Sequence, residues 1–217
     1  MDSVEIDALL RIPAGRHALS PEEVGRLQRE RLLRSVIACS AQKGYGSTTI
    51  TDIVARAEVS RSAFYEHFDG KEACFLQAYG QTAAALRDAV VGSGRDARTW
   101  RQALDLGIAT YFEWFRDRPE VAAASLVEIR TVGGRALEAR ARVLDQMTYR
   151  VQLLGERARR EQPELPELEL IAYASIIATT DEYAHDYVRR GKVHELTELI
   201  APSQYLARYI FEGALSA

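Results

Sequence analysis

The residues best equipped for chemistry gather between Thr48 and Lys71. They are Thr48, Thr49, Ser60, Arg61, Ser62, Tyr65, His67 and Lys71. Their groups are hydroxyl, guanidinium, phenol, imidazole and ammonium. The chain has no G-x-S-x-G, P-loop or H-E-x-x-H spacing, so no enzyme is expected. What these groups can do together is hydrogen-bond phosphate oxygens and the edges of bases. Thr48 and Thr49 place hydroxyls and backbone N–H groups at a helix start, which suits a phosphate. Ser60 and Lys71 open two further helices, Ser60 as a cap and Lys71 as a point charge.

These residues need short helices to position them. Thr49 opens one, with Asp52 three residues on as a short form of the capping box. Ile50, Ile53 and Val54 form its buried face, and it ends near Ala57. Ser60 caps the next helix, about 61–67. Val59 before that cap and Phe64 after it can pack as a hydrophobic staple. This places Arg61, Ser62, Tyr65 and His67 outside, with Phe64 and Phe68 inside. Upstream, Ser20-Pro21-Glu22-Glu23 is a helix start with both capping-box residues. Val24, Leu27, Leu33, Val36, Ile37 and Ala41 continue it as an apolar stripe to the stop at Gly44, predicting a helix over 21–43. Gly70 is a workable cap for a further helix from Lys71. Two short helices meeting at a tight turn, behind a longer one, is the layout of a helix-turn-helix reader of double-stranded DNA.

Bulk charge does not point to nucleic acid: the 217 residues carry a net charge of -3. Locally the balance reverses. From Arg26 to Arg61 there are seven cations against three anions, a net +4. A basic module on an acidic body fits a phosphate-binding surface, and a solvated helix face has the same composition. Cys39 and Cys74 lie in apolar helical patterns without C-x-x-C spacing, which reads as buried reduced thiols in a cytoplasmic protein. No metal site and no cofactor are expected. No signal peptide is visible, and the run Leu170–Thr180 is far short of the ~20 residues a membrane span requires. Residues 1–19 read as an arm, acidic and then basic. It is either a flexible tail or a segment that lays Arg11 or Arg16 against DNA.

Read from Thr49 to Glu72, the chain is T-x-x-x-I-V-A-x-A-x-V-S-x-x-x-F-Y-x-H-F-x-x-K-E. This resembles the DNA-binding signature of the TetR family of bacterial transcriptional repressors. The resemblance implies that Thr49, Arg61, Ser62, Tyr65, His67 and Lys71 contact DNA. Glu58 departs from it, standing at a turn position where the family usually has glycine. A left-handed conformation there costs about 1 kcal/mol for a residue with a Cβ.

The rest of the chain shows no strand pattern and no internal repeat, so the fold class is all-α. The helix from Lys71 should end near Val91. Others should cover about 97–116, 120–130, 135–161 and 167–190, with a last one opening at Pro202. The expected organisation is an arm at 1–19, a helix-turn-helix domain at 20–70 and a helical domain at 71–217. By the family resemblance the last part binds a small-molecule inducer and forms a homodimer. The segment 167–190 and residues 203–213 are too apolar for solvent-facing helices. Ala174, Ala178 and Ala184 permit close approach, in keeping with a dimer bundle. Pocket candidates combining apolar area with an occasional polar group are Trp100, Tyr111, Trp114, Glu128, Met147, Tyr173, Ile177 and Thr180. The ligand would be apolar or amphipathic, and it would release the regulator from its operator. An activator, or a helical binding protein with a vestigial reading head, fits the same residues.

Overall fold

A computed structural model describes residues 20–213. Among the described residues there are helices and no strands. The expected arm at residues 1–19, with Arg11 and Arg16, lies outside them.

The chain divides into two compact units, one reaching Ala78 and the other starting at Tyr79. The first is built on α1 (Pro21–Lys43), α2 (Ile50–Ala57) and α3 (Arg61–His67). Each start is capped as its sequence dictates. Ser20 and Glu23 form a reciprocal capping box on α1, as do Thr49 and Asp52 on α2. The Ser60 hydroxyl accepts from the Ala63 N–H at 3.0 Å to open α3. Leu32, Val36, Ile53 and Phe64 are fully buried, each contributing about 1.5–3 kcal/mol of transfer free energy.

The fourth helix, α4 (Lys71–Ser93), contains the division between the units. Its first two turns belong with the N-terminal unit because they bury Cys74 and Phe75 there. The Phe75 ring meets Tyr45 edge-on at 5.1 Å. The Cys74 thiol points at the Leu32 carbonyl at 3.7 Å.

The second unit adds α5 (Trp100–Arg116), α6 (Pro119–Ala122), α7 (Gly134–Glu161), α8 (Leu170–Arg189) and α9 (Ile200–Phe211). Its core joins Trp100, Leu104, Ile108, Phe112 and Phe115 to Tyr173, Ile176 and Phe211. Trp100 stacks on Phe211 at 5.1 Å and donates its indole N–H to Gln162. Gly155 lets α7 approach α8 closely: a Cβ there would lie 2.3 Å from the Tyr173 hydroxyl.

Several boundaries differ from the sequence expectation. α5 begins at Trp100 rather than near 97, because the Thr99 side chain accepts from the Gln102 N–H. The expected helix over 120–130 is three pieces: α6, a π-helical turn at Ala123–Val127, and a 3-10 turn at Glu128–Arg130. Arg130 bonds back to the Leu126 carbonyl at 3.1 Å, where the helix type changes. A 3-10 segment at Val193–Leu199 leads directly into α9, which therefore starts at Ile200 and carries Pro202 inside its first turn. That position tolerates proline because its N–H has no partner within the helix.

Candidate functional site

In the first unit the seven residues of α3 sort by helical face. Ala63 and Phe64 are buried, and Arg61, Ser62 and Tyr65 are exposed. Tyr65 keeps 49% of its surface in solvent, and Arg61 lies over its ring at 5.7 Å. Thr49 is exposed at the start of α2, and Ser60 at the start of α3. These five residues present hydroxyls, a phenol and a guanidinium to solvent from two consecutive helix starts.

The other three candidates are placed differently from expectation. Thr48 is 2% exposed and spends its hydroxyl on the Gly44 carbonyl at 2.8 Å, so it closes the turn after α1. His67 is not on the outer face. It follows Ala63 by four residues and Phe64 by three, which puts it on their side of the helix. Its Nε2 is buried without a hydrogen-bond partner among the described residues, and its ring edge faces Gly25. The Lys71 ammonium donates to the Tyr45 and Thr48 carbonyls, each at 2.7 Å, and sits 4.0 Å from the Tyr45 ring centre. Burial pulls its pKa below the usual lysine range. Its primary contacts are therefore with the turn between α1 and α2.

Electrostatics around the module are internally balanced in part. Arg26 pairs with Glu30, Arg31 with Glu58, and Lys43 with Asp52. Lys43, then Thr49, hold the Asp52 carboxyl well below the usual carboxylate range. Glu58 is in the left-handed region at φ 52°, ψ 43°, the only residue other than glycine with positive φ among the described residues.

The second unit contains a cavity of about 400 Å³, within the range of small-molecule sites. It lies between α4, α5, α7 and α8. Of the eight predicted lining residues, Tyr111, Met147, Ile177 and Thr180 line it. Trp100, Trp114, Glu128 and Tyr173 do not. Trp100 is held in the core by Phe211 and Gln162, and Tyr173 packs over Gly155. The Trp114 ring turns to Phe115 and to the Arg118 guanidinium, which stands 4.7 Å from it. Glu128 belongs to the 3-10 turn, where its carbonyl accepts from the Thr131 hydroxyl.

Helix register gives the cavity two ends. α4 contributes from Tyr79 to Val91, a run of about 18 Å at 1.5 Å per residue. The apolar walls come from residues such as Leu86, Val90, Leu104, Ile108 and Leu154. Towards the C-terminal end of α7 the lining includes Arg150, Arg157 and Arg160. Arg157 is engaged by Glu161 at 2.6 Å and the Ala97 carbonyl at 2.8 Å. At the opposite end stand Tyr79, Tyr111, Ser125, Thr180 and Asp181. Asp181 is 8% exposed and accepts from both Arg130 and Arg140. Burial, and next the Asp181 charge, push the Tyr79 and Tyr111 hydroxyls far above the usual tyrosine range, so both stay protonated. The sequence reading missed this cluster. Its members come from α4, α5, the π turn, α7 and α8, and no local spacing announces it.

The same succession of a short-helix unit and a larger all-helical unit occurs in solved bacterial regulatory proteins. Residues 32–78 match the tetR family of bacterial regulatory proteins. Over that stretch the chain is similar to TetR-family regulators. Over 103 residues it is 30% identical to the uncharacterized HTH-type transcriptional regulator YerO of Bacillus subtilis (strain 168). That stretch covers 46% of this chain and 36% of the relative, so it spans about a third of the relative's length. The fold is similar to that of the fatty acid degradation regulator FadR from Bacillus halodurans. There the TM-score is 0.77 at 18% identity, covering 86% of this chain and 95% of that one. FadR from Bacillus subtilis, in complex with stearoyl-CoA, gives a TM-score of 0.74 at 16% identity, covering 85% and 98%.

Proposed function

We propose that this protein is a dimeric transcriptional repressor that an amphipathic small molecule releases from its DNA operator. The observation that carries the reading is α4. It runs unbroken from Lys71, which holds the turn ahead of the DNA-reading helices, to the wall of the cavity. A ligand that favours one position of this helix would bias the reading head through a covalently continuous element. It acts only to the extent that it binds the two states with different affinity.

Thr49, Ser60, Arg61, Ser62 and Tyr65 are the proposed DNA contacts. Arg61 and Tyr65 reach base edges, while the two caps and Ser62 meet phosphate. Exposed apolar side chains support the homodimer: Leu170, Ile171 and Tyr183 on α8, and Tyr205, Leu206 and Tyr209 on α9. Such a cluster is rare on a monomer. A two-fold pair would set two copies of α3 about one DNA turn apart, roughly 34–36 Å. The apolar walls and the arginines at one end fit a long-chain ligand with an anionic head, the kind of molecule that the B. subtilis FadR structure holds.

The test is fluorescence anisotropy with the intergenic DNA upstream of the protein's own gene. Specific binding is expected. Arg61→Ala and Tyr65→Ala should each weaken it by ~1–3 kcal/mol. Affinity unchanged in both variants would overturn the contact assignment. Binding that ignores sequence would favour the alternative of a ligand-binding protein with a vestigial reading head.

A further inference from the structure

The end of the cavity opposite the arginines is polar in a way that an alkyl tail does not satisfy. Tyr111 Oη is buried and has no hydrogen-bond partner among the described residues. The Asp181 carboxylate beside it accepts from Arg130 and Arg140 through one oxygen and also faces the Tyr111 phenol. Ser125 is 7% exposed, and its Oγ is likewise buried without a partner. Both residues line the cavity. Buried polar atoms normally find partners, and leaving one bare is costly. Two bare hydroxyls in one cavity point to a group that arrives with the ligand.

Their neighbourhood narrows the chemistry. Ser125 sits in the π-helical turn Ala123–Val127, and the wider π turn is a recurrent feature of functional sites. The next residue, Leu126, gives its carbonyl to Arg130, which also bonds Asp181 and Glu182. The cationic groups here are thus already matched by carboxylates, and a second anion would find no free charge. Thr180 is satisfied by the Ile176 carbonyl at 2.8 Å. The Tyr111 phenol and the Ser125 hydroxyl are the buried lining hydroxyls left without a hydrogen-bond partner among the described residues, and together they can donate and accept.

We infer that Tyr111 and Ser125 form a recognition subsite for a neutral oxygen function, such as a hydroxyl, at the end of the ligand remote from its anionic head. This rests on the proposed ligand-binding reading and adds the class of molecule. The ligand is a chain polar at both ends, anionic at Arg150 and Arg160 and hydroxylated at Tyr111 and Ser125. The apolar walls, which run for about 18 Å along α4, lie between.

Calorimetric titration of the full chain with palmitate and with ω-hydroxypalmitate tests it. The ω-hydroxy acid should bind about tenfold more tightly, because it pairs both hydroxyls. Tyr111→Phe with Ser125→Ala, each nearly isosteric, should abolish that preference, so that the two acids bind alike. Equal affinity of the two acids in the unmodified protein, or a preference that survives the double substitution, overturns the subsite while leaving the amphiphile reading in place. Binding of neither acid overturns both.

Discussion

The Glu58 carboxylate lies 2.7 Å from the Arg31 guanidinium, tying the turn between α2 and α3 back to α1. Glu58 occupies the left-handed conformation that a glycine would adopt without strain. The turn therefore keeps its backbone shape at a steric cost and recovers part of it through an ion pair.

Replacing Glu58 separates the two contributions. Glu58→Gly removes the strain and the pair together. Glu58→Ala removes only the pair. The glycine variant should be more stable than the alanine variant by about 1 kcal/mol in urea unfolding. Both lose the pair, worth about 0.2–1 kcal/mol for a partner as exposed as Glu58. An alanine variant as stable as the glycine variant would show that the turn is not strained.

Lys71 has two carbonyl acceptors and an aromatic face around its ammonium. Lys71→Met keeps most of the stem and removes the donors. It should destabilise the folded chain by about 2 kcal/mol, since hydrogen bonds from charged groups are worth about 1.5–3 kcal/mol. Urea denaturation followed by far-ultraviolet circular dichroism reads this directly. No change in the midpoint would mean that the carbonyls at Tyr45 and Thr48 are held by something else.

Gly155 and Tyr173 form a tight contact between α7 and α8. A methyl group at 155 would clash with the Tyr173 hydroxyl and with its ring carbons at 2.7–2.8 Å. Gly155→Ala should therefore cost about 1–3 kcal/mol despite the better helix propensity of alanine. Adding Tyr173→Leu should recover part of that loss in a thermal melt. A stabilised single variant would contradict the packing.

Asp52 links stability to pH. Lys43 and Thr49 depress its pKa in the folded chain, so the unfolded chain binds its proton first as the solution is acidified. The stabilisation is fully present above about pH 4, the ordinary aspartate value, and fades as pH falls towards the lower folded value. Asp52→Asn should melt at a lower temperature at neutral pH. Its melting temperature should also fall less steeply between about pH 4 and about pH 2 than that of the parent. Parallel curves would remove Asp52 from the acid limb.

Much of the first unit was legible because its signals are local. Caps at Ser20, Thr49 and Ser60 act over three residues, and the structure forms each hydrogen bond. The outward position of Tyr65 follows from helical period alone. A seven-residue helix gives too little period to place His67, its last side chain, and the carbonyls that Lys71 meets lie 23 and 26 residues earlier. In the second unit, aromatic content was a poor guide to the cavity. Trp100 and Trp114 are large enough to anchor other contacts, while Ser125, Arg130, Arg140 and Asp181 meet only through tertiary packing.

The two thiols described with the core have a practical side. Cys39 and Cys74 are the only cysteines in the chain, both are buried and in no disulfide, and burial lifts the Cys74 pKa to about 12. Neither offers an accessible thiolate at neutral pH. A single cysteine placed on the exposed face of α3 or α9 would be the sole point of attachment for a maleimide dye or spin label. The unmodified background can then serve as its own control in distance measurements, with neither native cysteine replaced.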